Sequence, residues 1–216
     1  MRKTLSWIIL IIMVTVTSGL SAQQDTKSTH RIGSFNLRMD TSSDKENAWS
    51  NRKEMVKGLI RFHDFDIFGT QEGFKHQLDQ ILELPEYAYT GGGRDDGKDE
   101  GEHSAIIYKK DKYKVIENGD FWFSETPEIP GKGWDATCCN RICSWAKFQE
   151  TSTGKEFYLF NTNYDHLGQL ARKNSSLLLL EKIKKIKGDY PIIVTGDFNS
   201  TPEAEPIQIL STSGIL

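Results

Sequence analysis

The sequence predicts an α/β domain with a two-sheet core, flanking helices and polar strand ends gathered along one edge. Three observations carry this. Segments of helical and strand period run strand–helix–strand–helix, then a block of strands, then helix and strand again. Several strand-like runs stop abruptly at a carboxylate or an amide; the plainest is Tyr190 to Asn199, where Ile192, Ile193 and Val194 give way to Gly196-Asp197-Phe198-Asn199. A length of 216 residues suits one domain with a substantial core, with no internal repeat and no low-complexity linker.

The elements follow in order. His30 to Leu37 reads as a first strand, with Asn36 at its end. Asn47 to Phe65 places Trp49, Val56, Leu59 and Ile60 at helical spacing. Asp66 to Glu72 is a second strand ending in a carboxylate, and Phe74 to Leu84 a second helix stopped by Pro85. The stretch Gly91 to Gly97 reads as a flexible polar loop. Five strands are then expected, at 104–109, 114–117, 121–124, 142–148 and 156–161, with 126–140 as a Gly/Pro-containing excursion. Residues 169–187 form a helix whose terminal lysines suit the dipole. The strand before Asp197 reads as buried, and Thr201 with Pro202 suits an N-cap and first helical position. The chain stops soon after that helix without a closing strand, so it is expected to be incomplete.

Arg2 and Lys3 precede an apolar run from Trp7 to Val14 and a small-residue exit near Ser21 and Ala22. Residues 1–22 are therefore expected to be a secretory signal peptide, with an uncleaved anchor as the competing reading. Residues 23–29 are a polar leader, and 30–216 the domain. The mature protein is expected in the periplasm or secreted, without stable membrane insertion, and as a monomer. Cleavage removes Arg2 and Lys3 from the 27 basic residues and keeps all 30 acidic ones, a net charge of −5. That argues against a broad electrostatic grip on nucleic acid.

Cys138, Cys139 and Cys143 lie within six positions. A bridge between the neighbours Cys138 and Cys139 is disfavoured by geometry, and Cys139 with Cys143 would close a small loop. Unpaired thiols are the favoured expectation.

Asp197 and Asn199 are two apart, so on extended backbone both face one side while Phe198 turns to the core. A carboxylate beside a carboxamide suits a hard cation or a phosphoryl oxygen. Asn36, Glu72, Glu102, Asn163, Asp165, His166 and Arg141 complete the candidate set. Singly, each is more often a solvated loop residue.

Together, the segments Ser34-Phe35-Asn36, Gly69-Thr70-Gln71-Glu72, Gly101-Glu102, Asn161-Thr162-Asn163-Tyr164-Asp165-His166 and Gly196-Asp197-Phe198-Asn199 resemble the endonuclease/exonuclease/phosphatase superfamily. Gly93-Arg94-Asp95-Asp96-Gly97, with Phe121 to Pro127, looks like an exported Bacteroidetes-type branch of it. The resemblance implies a four-layer α/β sandwich, two packed mixed β-sheets flanked by helices, with the last strands missing here. It implies hydrolysis of a phosphodiester or phosphomonoester with Mg²⁺, or Mn²⁺ in its place. Glu72 and Asn36 would be the metal residues, and Asp197, Asn199, Asn163, Glu102 and Arg141 the catalytic ones. Asp165 and His166 would contact substrate. The substrate would be a phosphorylated small molecule, a phospholipid head group or nucleic acid.

Two departures stand out. Asn163 occupies the place where the family has a histidine, and an amide cannot carry a proton or a positive charge. His166, three positions on along a strand, is expected on the opposite side. The family's closing Asp-His pair has no counterpart, so little turnover is expected of this chain. A non-catalytic phosphate or sugar binder is the alternative. A carbohydrate-active hydrolase using Trp49, Trp122, Trp134 and Trp145 as stacking surfaces is a third.

Overall fold

The computed structural model describes residues 29–216; the expected signal peptide and nearly all of the polar leader lie outside the described residues. The elements are β1 (Ile32–Asn36), α1 (Trp49–His63), β2 (Ile67–Gln71), α2 (Lys75–Ile81), β3 (Tyr87–Thr90), β4 (Ile106–Lys109), β5 (Tyr113–Trp122), β6 (Ile142–Glu150), β7 (Glu156–Asn163), α3 (Gln169–Ile186), β8 (Ile192–Asp197) and α4 (Glu205–Ser211). A short 3₁₀ turn, Ser42–Asn47, precedes α1. Among the described residues no helix is long and apolar enough to cross a membrane.

Two four-stranded mixed sheets form, ordered β1-β2-β4-β3 and β5-β6-β7-β8. Each contains one parallel pair, β1 with β2 and β7 with β8; its other pairs are antiparallel. Side chains alternate across each strand, so each sheet has two apolar faces to cover. One face of each meets the other sheet through Ile67, Ile106, Tyr113, Ala146, Phe148 and Leu159. The outer face of the first sheet packs on Trp49, Val56 and Ile60 of α1 and on Leu78 and Ile81 of α2. The outer face of the second packs on Leu179 and Ile183 of α3 and on Leu210 of α4. The result is the four-layer α/β sandwich.

Several elements differ from expectation. Tyr87–Thr90 is a strand that the sequence reading passed over, because four residues after a proline turn are too short for a period to show. The two strands expected at 114–117 and 121–124 are one, β5, continuous past Gly119 and Asp120, with a register shift between Val115 and Glu117. Leu59, assigned to the apolar face of α1, is exposed. Helix α4 begins later than predicted, with Ala204 at the N-cap and Pro206 in its first turn. Residues 201–204 instead make a turn closed by Ala204 N–H on Thr201 O at 3.0 Å. Strand β8 is half-buried rather than buried, being an edge strand of its sheet.

The cysteines also differ. Cys138 and Cys139 are joined by a disulfide, and Cys143 is a buried thiol. Strand β6 turns Cys143 into the core, packed with Phe121, Phe160 and Tyr164, while its two neighbours sit on the open loop before the strand. Cys143 is thereby withdrawn from pairing, and burial pushes its thiol well above the ordinary range.

Candidate functional site

The parallel pairs place polar ends side by side. In the first sheet Asn36 stands opposite Gln71, so Asn36 and Glu72 emerge together; in the second Asn163 stands opposite Asp197. The sheets pack so that these ends meet. Asn36 Nδ2 donates to Glu72 Oε1 at 2.9 Å and to Asp197 Oδ2 at 3.1 Å. Three residues from widely separated segments thus share one point.

A buried polar network fixes the sheets just beneath. Asn161 Oδ1 accepts from Gln71 Nε2 at 2.8 Å and from Thr195 Oγ1 at 2.9 Å. Its Nδ2 donates to the carbonyls of Thr70 at 2.8 Å and Ala105 at 3.0 Å. Every polar atom of this fully buried amide has a partner in β2, β8 or the entry to β4, which removes freedom to slide.

Glu72 has φ 62, in the left-handed region that non-glycine residues rarely adopt. Such strain persists only where surroundings enforce it. Here Glu72 Oε2 accepts from Met39 N–H at 3.3 Å, and the Arg38 guanidinium lies 3.8 Å away. The segment carrying Arg38 and Met39 is itself held. Buried Gln77 accepts from Asp40 N–H and donates to Arg38 O, each at 3.0 Å, and Arg52 donates to Leu37 O at 2.6 Å and to Arg38 O at 2.7 Å.

Asn199 reaches the site by another route than expected. The strand ends at Asp197, and Asn199 has φ 46, so the two do not share an extended backbone. Its N–H caps Asp197 Oδ1 at 3.0 Å, and its Nδ2 donates to Tyr164 O at 2.8 Å and Asn163 Oδ1 at 3.4 Å. An Asx turn does here what strand alternation was expected to do.

These groups line a cleft of about 250 Å³ bounded by Arg38, Met39, Glu72, Arg94, Glu102, the Cys138–Cys139 pair, Arg141, Asn163, His166 and Asn199. Three arginines in its lining make it suited to an anion. Arg94 and Arg38 were passed over: the first was placed in a flexible loop, the second in no motif. Arg94 belongs to a folded turn in which Gly93 N–H bonds Lys98 O at 2.9 Å and Arg94 N–H bonds Glu102 O at 3.0 Å. The one usable signal was an arginine and a glutamate bracketing a glycine-rich turn.

Four of the expected site residues are held as follows. Glu102, expected among the catalytic residues, pairs with Arg94 Nη1 at 2.6 Å. Burial raises its carboxyl above the usual range despite that partner, and lowers the Arg94 guanidinium. Arg141 is buried, with Nε 3.4 Å from Asp165 Oδ1 and Nη2 2.7 Å from His166 Nδ1. Asp165 is 1% exposed and occupied internally, so it is a support for Arg141 and for the α3 approach rather than a substrate contact. Its Oδ2 accepts from Leu167 N–H at 2.9 Å and Gly168 N–H at 2.6 Å. Burial acts to raise its carboxyl, but those amides and Arg141 outweigh it and hold it below the usual range. His166 lies on the same cleft as Asn163, because β7 ends at Asn163 and the chain turns before residue 166. Arginine can only donate, so Nδ1 of His166 accepts and the ring proton sits on Nε2.

The tryptophans are structural. Trp49 is in the core with Nε1 on Gln80 at 2.7 Å, Trp122 donates to Arg94 O at 2.7 Å, and Trp134 and Trp145 pack on the second core. None borders the cleft.

The donor set fits a hard cation of low ligand demand. Among the described residues no three His, Cys, Asp or Glu side chains gather as a cage. Mg²⁺ keeps several waters and takes one or two carboxylates. Glu72 and Asp197 each turn one carboxylate oxygen to the Asn36 Nδ2, while the Asn36 Oδ1 accepts from Arg38 N–H at 2.8 Å, so the two carboxylates are the groups suited to a cation.

The comparisons agree with this architecture. The profile of the Endonuclease/Exonuclease/phosphatase family matches residues 33–216. A mannosyl-6-phosphatase of Bacteroides thetaiotaomicron superposes with a TM-score of 0.84 at 46% identity, over 86% of this chain and 71% of that one. Another endonuclease/exonuclease/phosphatase family protein of that organism gives 0.82 at 48% identity, over 85% and 68%. An uncharacterized protein of Acanthamoeba polyphaga mimivirus is 34% identical over 162 residues, 70% of this chain and 59% of its own length. The family match spans the strand ends that build the cleft, so the chain belongs to the endonuclease/exonuclease/phosphatase family.

Proposed function

We propose that the protein is an exported, Mg²⁺-dependent phosphoesterase that acts on a phosphorylated sugar. The observation that carries the reading is the meeting of Glu72, Asn36 and Asp197 at one point, with Glu72 in a cleft that Arg38, Arg94 and Arg141 also line. A phosphate ester repels anionic nucleophiles, so hydrolysis needs charge neutralisation and an aligned water. Glu72 would hold Mg²⁺, with Asn36 beside it offering its amide N–H to phosphate or, released from Arg38 N–H, its oxygen to the ion, and the ion when bound would supply positive charge to the phosphoryl oxygens. Asp197, fixed by the Asn199 N–H, orients water. Asn163 and Asn199 offer amide N–H groups to phosphate oxygens, and Arg141, backed by buried Asp165, offers its guanidinium. His166, on the cleft lining, would donate to the substrate through Nε2.

A sugar phosphate is favoured over nucleic acid by the acidic charge of the chain and by likeness to a mannosyl-6-phosphatase. Export is supported by the leader-like N-terminus and by a disulfide, which persists in oxidising compartments. One observation favours a second reading, a phosphate binder without turnover: Asn163 stands where an imidazole is expected and has no proton to give to a reaction.

Calorimetric Mg²⁺ titration tests the reading. Binding is expected to weaken at least tenfold in Glu72→Gln, with hydrolysis of mannose 6-phosphate or bis-(p-nitrophenyl) phosphate falling in step. Equal Mg²⁺ affinity in wild type and Glu72→Gln would remove the basis for it.

A further inference from the structure

We propose that Met39 and the Cys138–Cys139 disulfide form the subsite for the carbon skeleton of the substrate, one C–H face of a hexose phosphate resting on these sulfur groups. This rests on the phosphoesterase reading and adds the groups that choose the leaving alcohol.

The cleft is chemically divided. Its arginines, glutamates, asparagines and histidine are charged or amide groups suited to phosphate and cation. Met39 and the disulfide are its apolar walls. A disulfide has no thiol proton to donate and presents polarizable sulfur, which packs on C–H surfaces as thioethers do. Sugar rings offer such surfaces between their hydroxyls, and among the described residues no tryptophan borders the cleft to meet them.

The two walls come from separate loops, and both are tied to phosphate-facing residues. Met39 donates its N–H to Glu72 at 3.3 Å. In the second loop Asn140 follows the disulfide and donates to Arg94 O at 3.3 Å, and Arg141 comes next in the chain. Cys138 is exposed while Cys139 and Met39 are half-buried, so these groups stand at the mouth, where the part of the substrate beyond its phosphate must lie. A volume of about 250 Å³ sits below the roughly 300–1,000 Å³ of drug-sized pockets, which suits one sugar ring with its phosphate.

The test compares calorimetric affinities for mannose 6-phosphate and inorganic phosphate, with Mg²⁺ present, on the full chain. Four preparations are compared: wild type, wild type reduced with a phosphine, Met39→Ala, and the double variant Cys138→Ser with Cys139→Ser. The preference of wild type for the sugar phosphate is expected to fall about tenfold in the double variant and in Met39→Ala, and to fall on reduction. An undiminished preference in all three overturns the subsite. So does a single-stranded oligonucleotide that displaces mannose 6-phosphate from wild type at lower concentration than free sugar phosphate does. Should the double variant not fold, the reduced protein and Met39→Ala decide. If wild type binds neither phosphate ligand, the phosphoesterase reading itself falls, a result distinct from a lost preference.

Discussion

Strand β2 is buried over all five of its residues, whereas β8, its counterpart across the sandwich, is fully buried only at Thr195. Both deliver a carboxylate to the same point, Glu72 from one and Asp197 from the other. The first is held in a left-handed conformation by Met39, Asn36 and the packed strand; the second is capped by one turn and lies on an edge strand. A group that must hold a cation gains from rigid placement, because its oxygen has to stand where the ion needs it. A group that orients a mobile water tolerates a softer support.

This contrast predicts unequal sensitivity. Ile67→Ala, at a position with no exposure between the sheets, is expected to cost about 3–4 kcal/mol of unfolding free energy in urea. Ile192→Ala, at the half-buried start of β8, is expected to cost about 1–2 kcal/mol. Equal losses would mean that β8 carries as much of the core as β2, and the contrast would dissolve.

The next largest effect concerns chemistry. If the metal half is complete and the defect lies at Asn163, then Asn163→His restores what the second half lacks. The position is 6% exposed, opposite Asp197 in register, and shares its cleft with Glu102. Turnover of mannose 6-phosphate is expected to rise roughly a hundredfold, within the usual range for a positioned acid or base. Mg²⁺ affinity is expected to stay as it was. A variant with turnover no higher than wild type would place the limitation elsewhere in the cleft.

The strand ends were legible because periodicity marks where a strand stops and the last residue is then conspicuous. Asn36, Glu72, Asn163 and Asp197 were found in this way, and the packing of two sheets brought them together. What escaped depended on turns. Arg94 faces the cleft because a glycine-rich turn folds back on Glu102, and Asn199 arrives through a left-handed residue. His166 joins Asn163 since the strand ends between them. None of these follows from a period of two. Asn161 was legible only as a strand residue, although it ties β2 to β8; partners 90 and 34 positions away leave no local trace. The disulfide was misjudged for the same reason, as nothing in the order Cys138, Cys139, Cys143 says that the third side chain is in the core.

The smallest predicted effect separates two buried carboxylates shifted with opposite sign, Glu102 on the cleft lining and Asp165 bound to the cleft's Arg141. Glu102 is raised by burial, so its contribution to stability is full below its unfolded value of roughly 4.3 and is lost as pH climbs through its higher folded value. Asp165 is lowered by the Gly168 and Leu167 amides and Arg141 against the pull of burial. Its contribution is present above roughly pH 3.9 and is lost as pH falls through the folded value. Melting temperatures of Glu102→Gln and Asp165→Asn, each relative to wild type, therefore slope in opposite directions. The deficit of Glu102→Gln narrows from about pH 4 upward, because wild type then bears the cost of an ionised buried carboxylate and the amide does not. The deficit of Asp165→Asn narrows as pH drops below about 4, where wild type loses its own ion pair. Parallel slopes would mean that one of the two carboxyls sits in surroundings other than those seen here. For Glu102 that would mean that its ion pair with Arg94 outweighs burial, which would leave Arg94 engaged by Glu102 rather than aimed at substrate.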